Sequence, residues 1–168
     1  MTNNDILRRI RYTFDFDDRK MIEVFKLADH DTNREEICDW LKKEDDPDWE
    51  EILDKELAIF LNGLIIDKRG KRDGPQPKPE DYLTNNMILR KLKIALNLKA
   101  EQMLYIFSLA DRRLSKHELS AFFRKPGNKS YEPCMDQYLR NFLFGMQKKY
   151  KKQDDIKASP VHDKATDE

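Results

Sequence analysis

TNNDILRRI at residues 2–10 and TNNMILRKL at residues 84–92 are nearly the same nine letters, 82 positions apart. Extended outward without a gap, Thr2 to Gly63 lies over Thr84 to Gly145, and 19 of the 62 paired positions are identical. Most of the remainder exchange like for like. Met21, Phe25, Leu27, Ala28 and Asp29 recur as Met103, Phe107, Leu109, Ala110 and Asp111; Leu57, Phe60, Leu61 and Gly63 recur as Leu139, Phe142, Leu143 and Gly145. A gap-free match over this distance requires the same elements at the same lengths in both halves, which marks one duplicated unit.

Each copy carries helical periodicity and no strand alternation. Ile6, Leu7, Ile10 and Phe14 line one face of a first helix whose other sides hold Arg8, Arg9 and Arg11. Asn4 and Asn86 stand where an N-cap belongs. A second helix is expected near 18–29. A third begins after Asn33 and Ser115, each followed three residues on by Glu36 or Glu118, the capping-box spacing. A fourth is expected after Asp48 and Ser130, with Ile52, Leu53, Leu57, Phe60, Leu61 and Leu64 on one stripe and Pro133 in the first turn of the second copy. The duplicated Gly63 and Gly145 each cost a helix interior about 1 kcal/mol relative to alanine. Close approach of another backbone is the preferred reason, a groove-shaping kink the alternative.

These elements predict an all-α protein of two homologous four-helix units in tandem: 1–66, a Pro/Gly-containing linker at 67–83, 84–152, and a disordered tail at 153–168. A copy of this size is marginal alone, so the units are expected to pack together. Each closes its own core, or they share one through the paired fourth helices. Trp40, Trp49, Phe122 and Tyr131 are the candidate anchors of such an interface.

The zero formal net charge conceals a split. Residues 2–70 hold 12 Lys+Arg against 19 Asp+Glu, a net of −7; residues 84–150 hold 13 against 5, a net of +8. The first helix is basic in both copies, and most of the divergence separates LKKEDDPDWEEILDKE (41–56) from FRKPGNKSYEPCMDQY (123–138). Three readings follow. Acidic and basic copies dock on each other or between molecules. The basic copy meets a polyanion or acidic partner through Arg90, Lys91, Lys93, Arg112, Arg113, Lys116, Arg124, Lys125, Lys129 and Tyr131. Or the charges are solvated helix faces. The first and third are preferred. A helix-turn-helix reading of ADRRLSKHE with SKHELSAFF is weak, because only Lys116, His117, Ser120 and Arg124 would face outward.

Catalytic signatures are sparse. The sequence contains no P-loop, GxGxxG, G-x-S-x-G or H-E-x-x-H. His30, His117 and His162 are scattered, and Cys38 and Cys134 fit buried thiols. Asp29/Asp111 and Asp54/Asp136 repeat; a tertiary cap explains the first pair better than a duplicated active site does. An enzyme is the weakest reading, and neither a cofactor nor a metal is expected. The apolar runs are too short to span a bilayer and MTNNDILRRI lacks a signal-peptide core, so a cytoplasmic location is expected.

The TNNxILR openings, MxxxFxLAD, LKKEDDPDWEE, FLNGLIIDKRGK, LSKHELSAFFRKPG and LRNFL together resemble the YehS-like bacterial family, whose members carry one domain twice. The likeness covers nearly the whole chain up to the tail. It implies the tandem fold and brings no catalytic or binding residues, because the family has no established function. The functional expectation is therefore a non-enzymatic protein-interaction or adaptor module, with nucleic-acid binding through the basic copy as the alternative.

Overall fold

The computed structural model describes residues 1–151. The tail expected at 153–168 lies outside the described residues. Eight helices and no strands are found among those described: α1 Asn3–Thr13, α2 Asp18–Leu27, α3 Arg34–Leu41, α4 Asp54–Arg69, α5 Asn85–Ala95, α6 Ala100–Leu109, α7 Lys116–Phe122 and α8 Asp136–Tyr150. The first four and the last four are the two tandem units, in register at the shift of 82. Helix α4 runs on to Arg69 and stops where Gly70 takes φ 84°.

The TNN triplet does more than cap a helix. Thr2 and Thr84, not the asparagines, are the N-caps: their hydroxyls accept the amides of Asp5 at 3.1 Å and Met87 at 3.2 Å. The asparagines bind their own unit at long range instead. Asn4 is fully buried. It donates to the carbonyls of Trp40 at 2.9 Å and Glu50 at 2.7 Å, and accepts the Ile52 amide at 3.1 Å. Asn86 repeats this with Phe122, Glu132 and Cys134 at 2.9, 2.9 and 2.8 Å. One side chain in each unit thus satisfies a carbonyl at the end of the third helix and two backbone groups of the segment that links it to the fourth.

That segment is longer than the apolar stripe suggested. The fourth helices begin at Asp54 and Asp136, not after Asp48 and Ser130. Asp46 Oδ1 accepts the Asp48 amide at 2.9 Å and Asn128 Oδ1 accepts the Ser130 amide at 2.7 Å, so a side-chain turn competes with helix at both places. The chain then runs extended, held by the buried asparagine. Ile52 is buried by that clamp, Leu53 is exposed, and Pro133 precedes α8 rather than opening it.

Gly63 and Gly145 mark close helix crossings. A Cβ at Gly63 would stand 1.9 Å from the Val24 carbonyl oxygen of α2, and one at Gly145 2.0 Å from that of Ile106 of α6. Asp29 and Asp111 adopt φ of 61° and 57°, the left-handed turn that ends α2 and α6. The following amides, of His30 and Arg112, return to the Phe25 and Phe107 carbonyls at 3.1 and 3.0 Å. The repeated aspartates are therefore helix stops, not the tertiary caps expected.

A single continuous core spans both units. The units do not meet through paired fourth helices. Each fourth helix packs on the first helix of the other unit, α4 on α5 and α8 on α1. Polar contacts repeat the exchange. Asp54 accepts Asn3 of its own unit at 2.7 Å and the amide of Leu83, the last linker residue before the other unit, at 2.9 Å. Asp136 accepts Asn85 at 2.8 Å and the Met1 amine at 3.5 Å. Arg69 reaches Asn97 at 3.1 Å, and its counterpart Lys151 reaches Asp15. Swapping the units maps each contact onto another, so the chain is a fused pseudo-dimer with an approximate two-fold axis. Trp40 is no interface anchor; it packs on Phe25 inside its own unit, ring centroids 5.4 Å apart.

Candidate functional site

The ten residues expected to meet a partner divide by surroundings. Lys91 is only 11 % exposed; it bonds Asn62 of α4 at 2.7 Å and Glu80 of the linker at 3.0 Å. It belongs to the interface between the units and is not available to a partner. The cause is the linker, which folds back across α4 and also encloses an apolar cavity of about 280 Å³ walled by Leu27, Ile59, Ile66, Pro77 and Pro79. Lys116 is exposed but pairs with Glu101 at 3.2 Å, and this contact helps hold the Glu101 carboxyl below its ordinary range, after its own backbone hydrogen bond.

The remaining residues frame the short helix α7. At its C-terminal end Arg90 donates to the Phe123 carbonyl at 2.8 Å, and both Arg90 and Lys93 of α5 lie over the Phe123 ring, 5.8 and 5.9 Å from its centre. Arg124, Lys125 and Lys129 follow directly, all exposed, in a turn closed by the Asn128 amide on the Lys125 carbonyl at 2.9 Å. Tyr131 is half-buried beside them, its amide on the Asn128 carbonyl at 2.9 Å. At the N-terminal side of α7, Arg112 lies 4.8 Å from the Tyr138 ring centre and Arg113 is exposed. The helix-turn-helix reading gains nothing from this. Leu119 and Phe122 are buried, and a helix of seven residues is about 10 Å long.

The corner is cationic both because carboxylates have gone and because cations have been added, Lys129 standing at the place of Pro47 and Arg113 at that of Asp31. In the first unit Lys42 is held by Asp39 at 2.8 Å and Asp48 at 3.7 Å, and the Asp39 bond is the main reason its pKa is raised. Arg124 occupies the same place in the second unit, where Ala121 and Ser130 replace those two aspartates. Similarly Lys26 pairs with Asp31 at 2.8 Å, whereas the second unit has Ser108 and Arg113.

The thiols differ from expectation in one respect. Cys134 is buried, and desolvation, with the nearby Asp136 adding to it, pushes its thiol up to about 12. Cys38 is only half-buried, 3.9 Å from Asp18 Oδ2, because its helix face looks toward the start of α2 rather than into the core. Among the described residues no group of three or more His, Cys, Asp or Glu could hold a metal ion, and no helix is long and apolar enough to cross a membrane.

Comparison with known proteins matches this architecture and adds no chemistry. No solved structure matches the chain. It is 39 % identical over 147 residues to "Uncharacterized protein YehS" of Escherichia coli (strain K12), which covers 87 % of this chain and 94 % of that relative. One family model matches twice, at residues 3–70 and 85–152, the same two units that the helices delimit. The resemblance carried by the sequence motifs is thereby confirmed, and the chain belongs to the family described as "Protein of unknown function (DUF1456)".

Proposed function

We infer that this protein is a binding module without chemistry of its own, acting in the bacterial cytoplasm, whose second unit takes an acidic stretch of a protein partner. The observation that carries this reading is the bared corner at the end of α7. Arg124, Lys125 and Lys129 keep or add to the cationic pattern of the first unit while Ala121 and Ser130 withhold the carboxylates that cover Lys42. Unneutralised cations on a fixed turn attract an acidic segment at long range and orient it at contact. The chain itself offers one such segment, the loop of Glu44, Asp45, Asp46 and Asp48 on a second copy.

The test is binding of a fluorescent poly-glutamate peptide to the full chain, compared with Arg124→Ala/Lys125→Ala/Lys129→Ala, together with sedimentation of the unlabelled protein at low and high salt. Binding that the triple variant abolishes supports the reading. Salt-sensitive dimers that the same variant disperses identify the partner as a second copy. No binding by the parent chain at low salt rejects it.

A second reading, nucleic-acid binding, is favoured by the aromatic rings set beneath the cations: Phe123 under Arg90 and Lys93, and Tyr138 under Arg112. Such rings stack on bases while the cations meet phosphates. Retardation of single-stranded DNA or RNA, with affinity falling steeply as salt rises, would put this reading first.

A further inference from the structure

The pseudo-two-fold axis creates two equivalent clefts between a first and a fourth helix, and among the described residues only one is filled. In the α4–α5 cleft the linker lays down Glu80, whose carboxylate meets Lys91 at 3.0 Å, while Asn62 of α4 takes the same ammonium at 2.7 Å. The α1–α8 cleft places Arg9 where the other has Lys91. Arg9 is likewise bound by a neutral amide of the facing helix, Gln147 at 3.3 Å. No described residue stands in the place of Glu80. The space left is about 550 Å³, lined by Met1, by Asp5, Arg8, Arg9 and Tyr12 of α1 and by Arg140 and Leu143 of α8.

The open cleft is the more cationic of the two. Arg140 stands where the filled cleft has Ala58, and its one hydrogen bond goes to the Gln137 amide oxygen at 2.9 Å. Arg8 keeps Nε and Nη2 buried without a hydrogen-bond partner, and its ion pair with Asp5 is long, at 3.6 Å. Among the described residues Asp5 is the one carboxylate lining the cleft, and it is already engaged by the Thr2 amide at 2.9 Å. Three guanidinium groups thus face one committed carboxylate. Orphaned donors in a partly desolvated cleft are costly, and a carboxylate acceptor satisfies them.

We propose that the α1–α8 cleft is a second binding site, separate from the cationic corner, which takes a glutamate or aspartate of an extended acidic peptide in the way that the α4–α5 cleft takes Glu80. The filled cleft shows the form of the ligand. Glu80 arrives on a Pro77-Lys78-Pro79 run, whose backbone is stiff and extended, and leaves into Asp81-Tyr82-Leu83, where the Leu83 amide is fastened to Asp54 at 2.9 Å. The equivalent point in the open cleft, Asp136, is already taken by the Met1 amine at 3.5 Å, so the ligand is held there through its carboxylate. The carboxylate on offer there would sit between Arg9 and Arg140, with Tyr12 and Leu143 packing on its aliphatic stem.

The experiment is a titration of the full chain, labelled with ¹⁵N, with the end-blocked peptide PKPEDYL and separately with PKPQDYL, followed on the arginine Nε–H signals. The acidic peptide should shift Arg8, Arg9 and Arg140, and its glutamine form should bind roughly tenfold more weakly or worse. Arg9→Gln/Arg140→Gln should remove the shifts while leaving the rest of the spectrum in place. Because the glutamine peptide needs no variant, the comparison stands even if that double variant does not fold. Equal binding of the two peptides would overturn the proposal. So would shifts confined to the Lys91 and Asn62 surroundings, where the peptide would merely displace its own sequence, or identical shifts produced by inorganic phosphate at the same concentration. Loss of the corner cations Arg124, Lys125 and Lys129 should leave this titration unchanged, so the two sites fail or succeed separately.

Discussion

Lys42 and Arg124 stand at the same point of the two units, one under two aspartates and the other under none. Thirty-eight residues earlier in each unit, Asn4 and Asn86 make the same three hydrogen bonds to the same three backbone positions. The contrast separates what duplication had to keep from what it was free to change. Buried donors and acceptors have no solvent to fall back on, so the clamp tolerates no drift. Exposed ion pairs contribute little to stability, so their carboxylates could be shed at almost no cost to the fold. The pseudo-two-fold axis amplifies this freedom. Because α1 and α5 complete each other's units, both copies must keep their packing faces, while each outer corner faces water alone.

The largest expected effects fall on what is shared. Gly63→Ala and Gly145→Ala each drive a methyl into a backbone carbonyl oxygen at about 2 Å. Backbone cannot step aside as a side chain tip can. Each should lose at least about 3 kcal/mol in urea unfolding, against the ~1 kcal/mol that alanine would return in helix propensity. Gly127→Ala, with nothing within 4 Å of its Cβ, should be neutral. If one of the two helical glycines tolerated alanine and the other did not, the crossings would not be equivalent and the two-fold description would fail.

Next come Asn4→Ala and Asn86→Ala. Each strands an amide hydrogen and two carbonyls, and each should cost about 2–3 kcal/mol, the two alike to within about 1 kcal/mol. Hydrogen exchange should localise the loss: the Ile52 amide in one variant and the Cys134 amide in the other should become fast. Thr2→Ala and Thr84→Ala should cost only about 1 kcal/mol, as for an ordinary cap.

These asparagines also show where sequence reasoning stops. The shift of 82, the Ser115–Glu118 capping box, the Asn33 cap (which Glu36 does not reciprocate), the glycine crossings and the all-α class are legible, because each depends on residues close in sequence or on the repeat itself. Thr-Asn-Asn offers three cap-competent residues in a row, and nothing local says which one caps. The partners of Asn4 lie 36 to 48 residues away. The start of α4 lies later than its apolar stripe implies for a related reason: Ile52 and Leu53 extend a stripe that the Asp46 turn and the Asn4 clamp interrupt. Of the candidate contact residues, Lys91 misled because its surroundings depend on a linker that folds back 11 residues upstream, at Glu80. The open α1–α8 cleft was invisible for the same reason, since it exists only once α8 lies along α1.

Cys134 tests one place where the buried clamp itself differs, Ile52 having become a thiol. With its pKa raised to about 12 from the 9.0 ordinary for a thiol, the folded state holds its proton after the unfolded chain has lost it. The thiol's contribution to stability is therefore complete below pH 9 and is lost as pH climbs toward 12. Cys134→Ile should flatten that part of the alkaline stability curve. At pH 8 and without denaturant, iodoacetamide should label Cys38 well before Cys134, since the latter is both buried and protonated. Equal labelling rates would mean that the second unit's loop opens as a unit.

The smallest expected effect on stability is the most direct test of the bared corner. Ser130 is exposed and corresponds to Asp48, so Ser130→Asp restores one of the two carboxylates that the first unit sets over its cation. Stability should change by less than about 0.5 kcal/mol, as for most exposed ion pairs. Poly-glutamate binding should nonetheless weaken, because the new carboxylate occupies Arg124 and repels an acidic ligand. Asp48→Ser in the first unit is the reciprocal substitution. It frees Lys42 from the longer of its two ion pairs but leaves Asp39 in place at 2.8 Å, so it should create no binding there. If Asp48→Ser alone made the first unit bind as the second does, a single carboxylate would account for the divergence. If Ser130→Asp left binding unchanged, the ligand would be held by Arg90 and Lys93 around Phe123 rather than by the turn, and the comparison should be redrawn between the faces of α1 and α5.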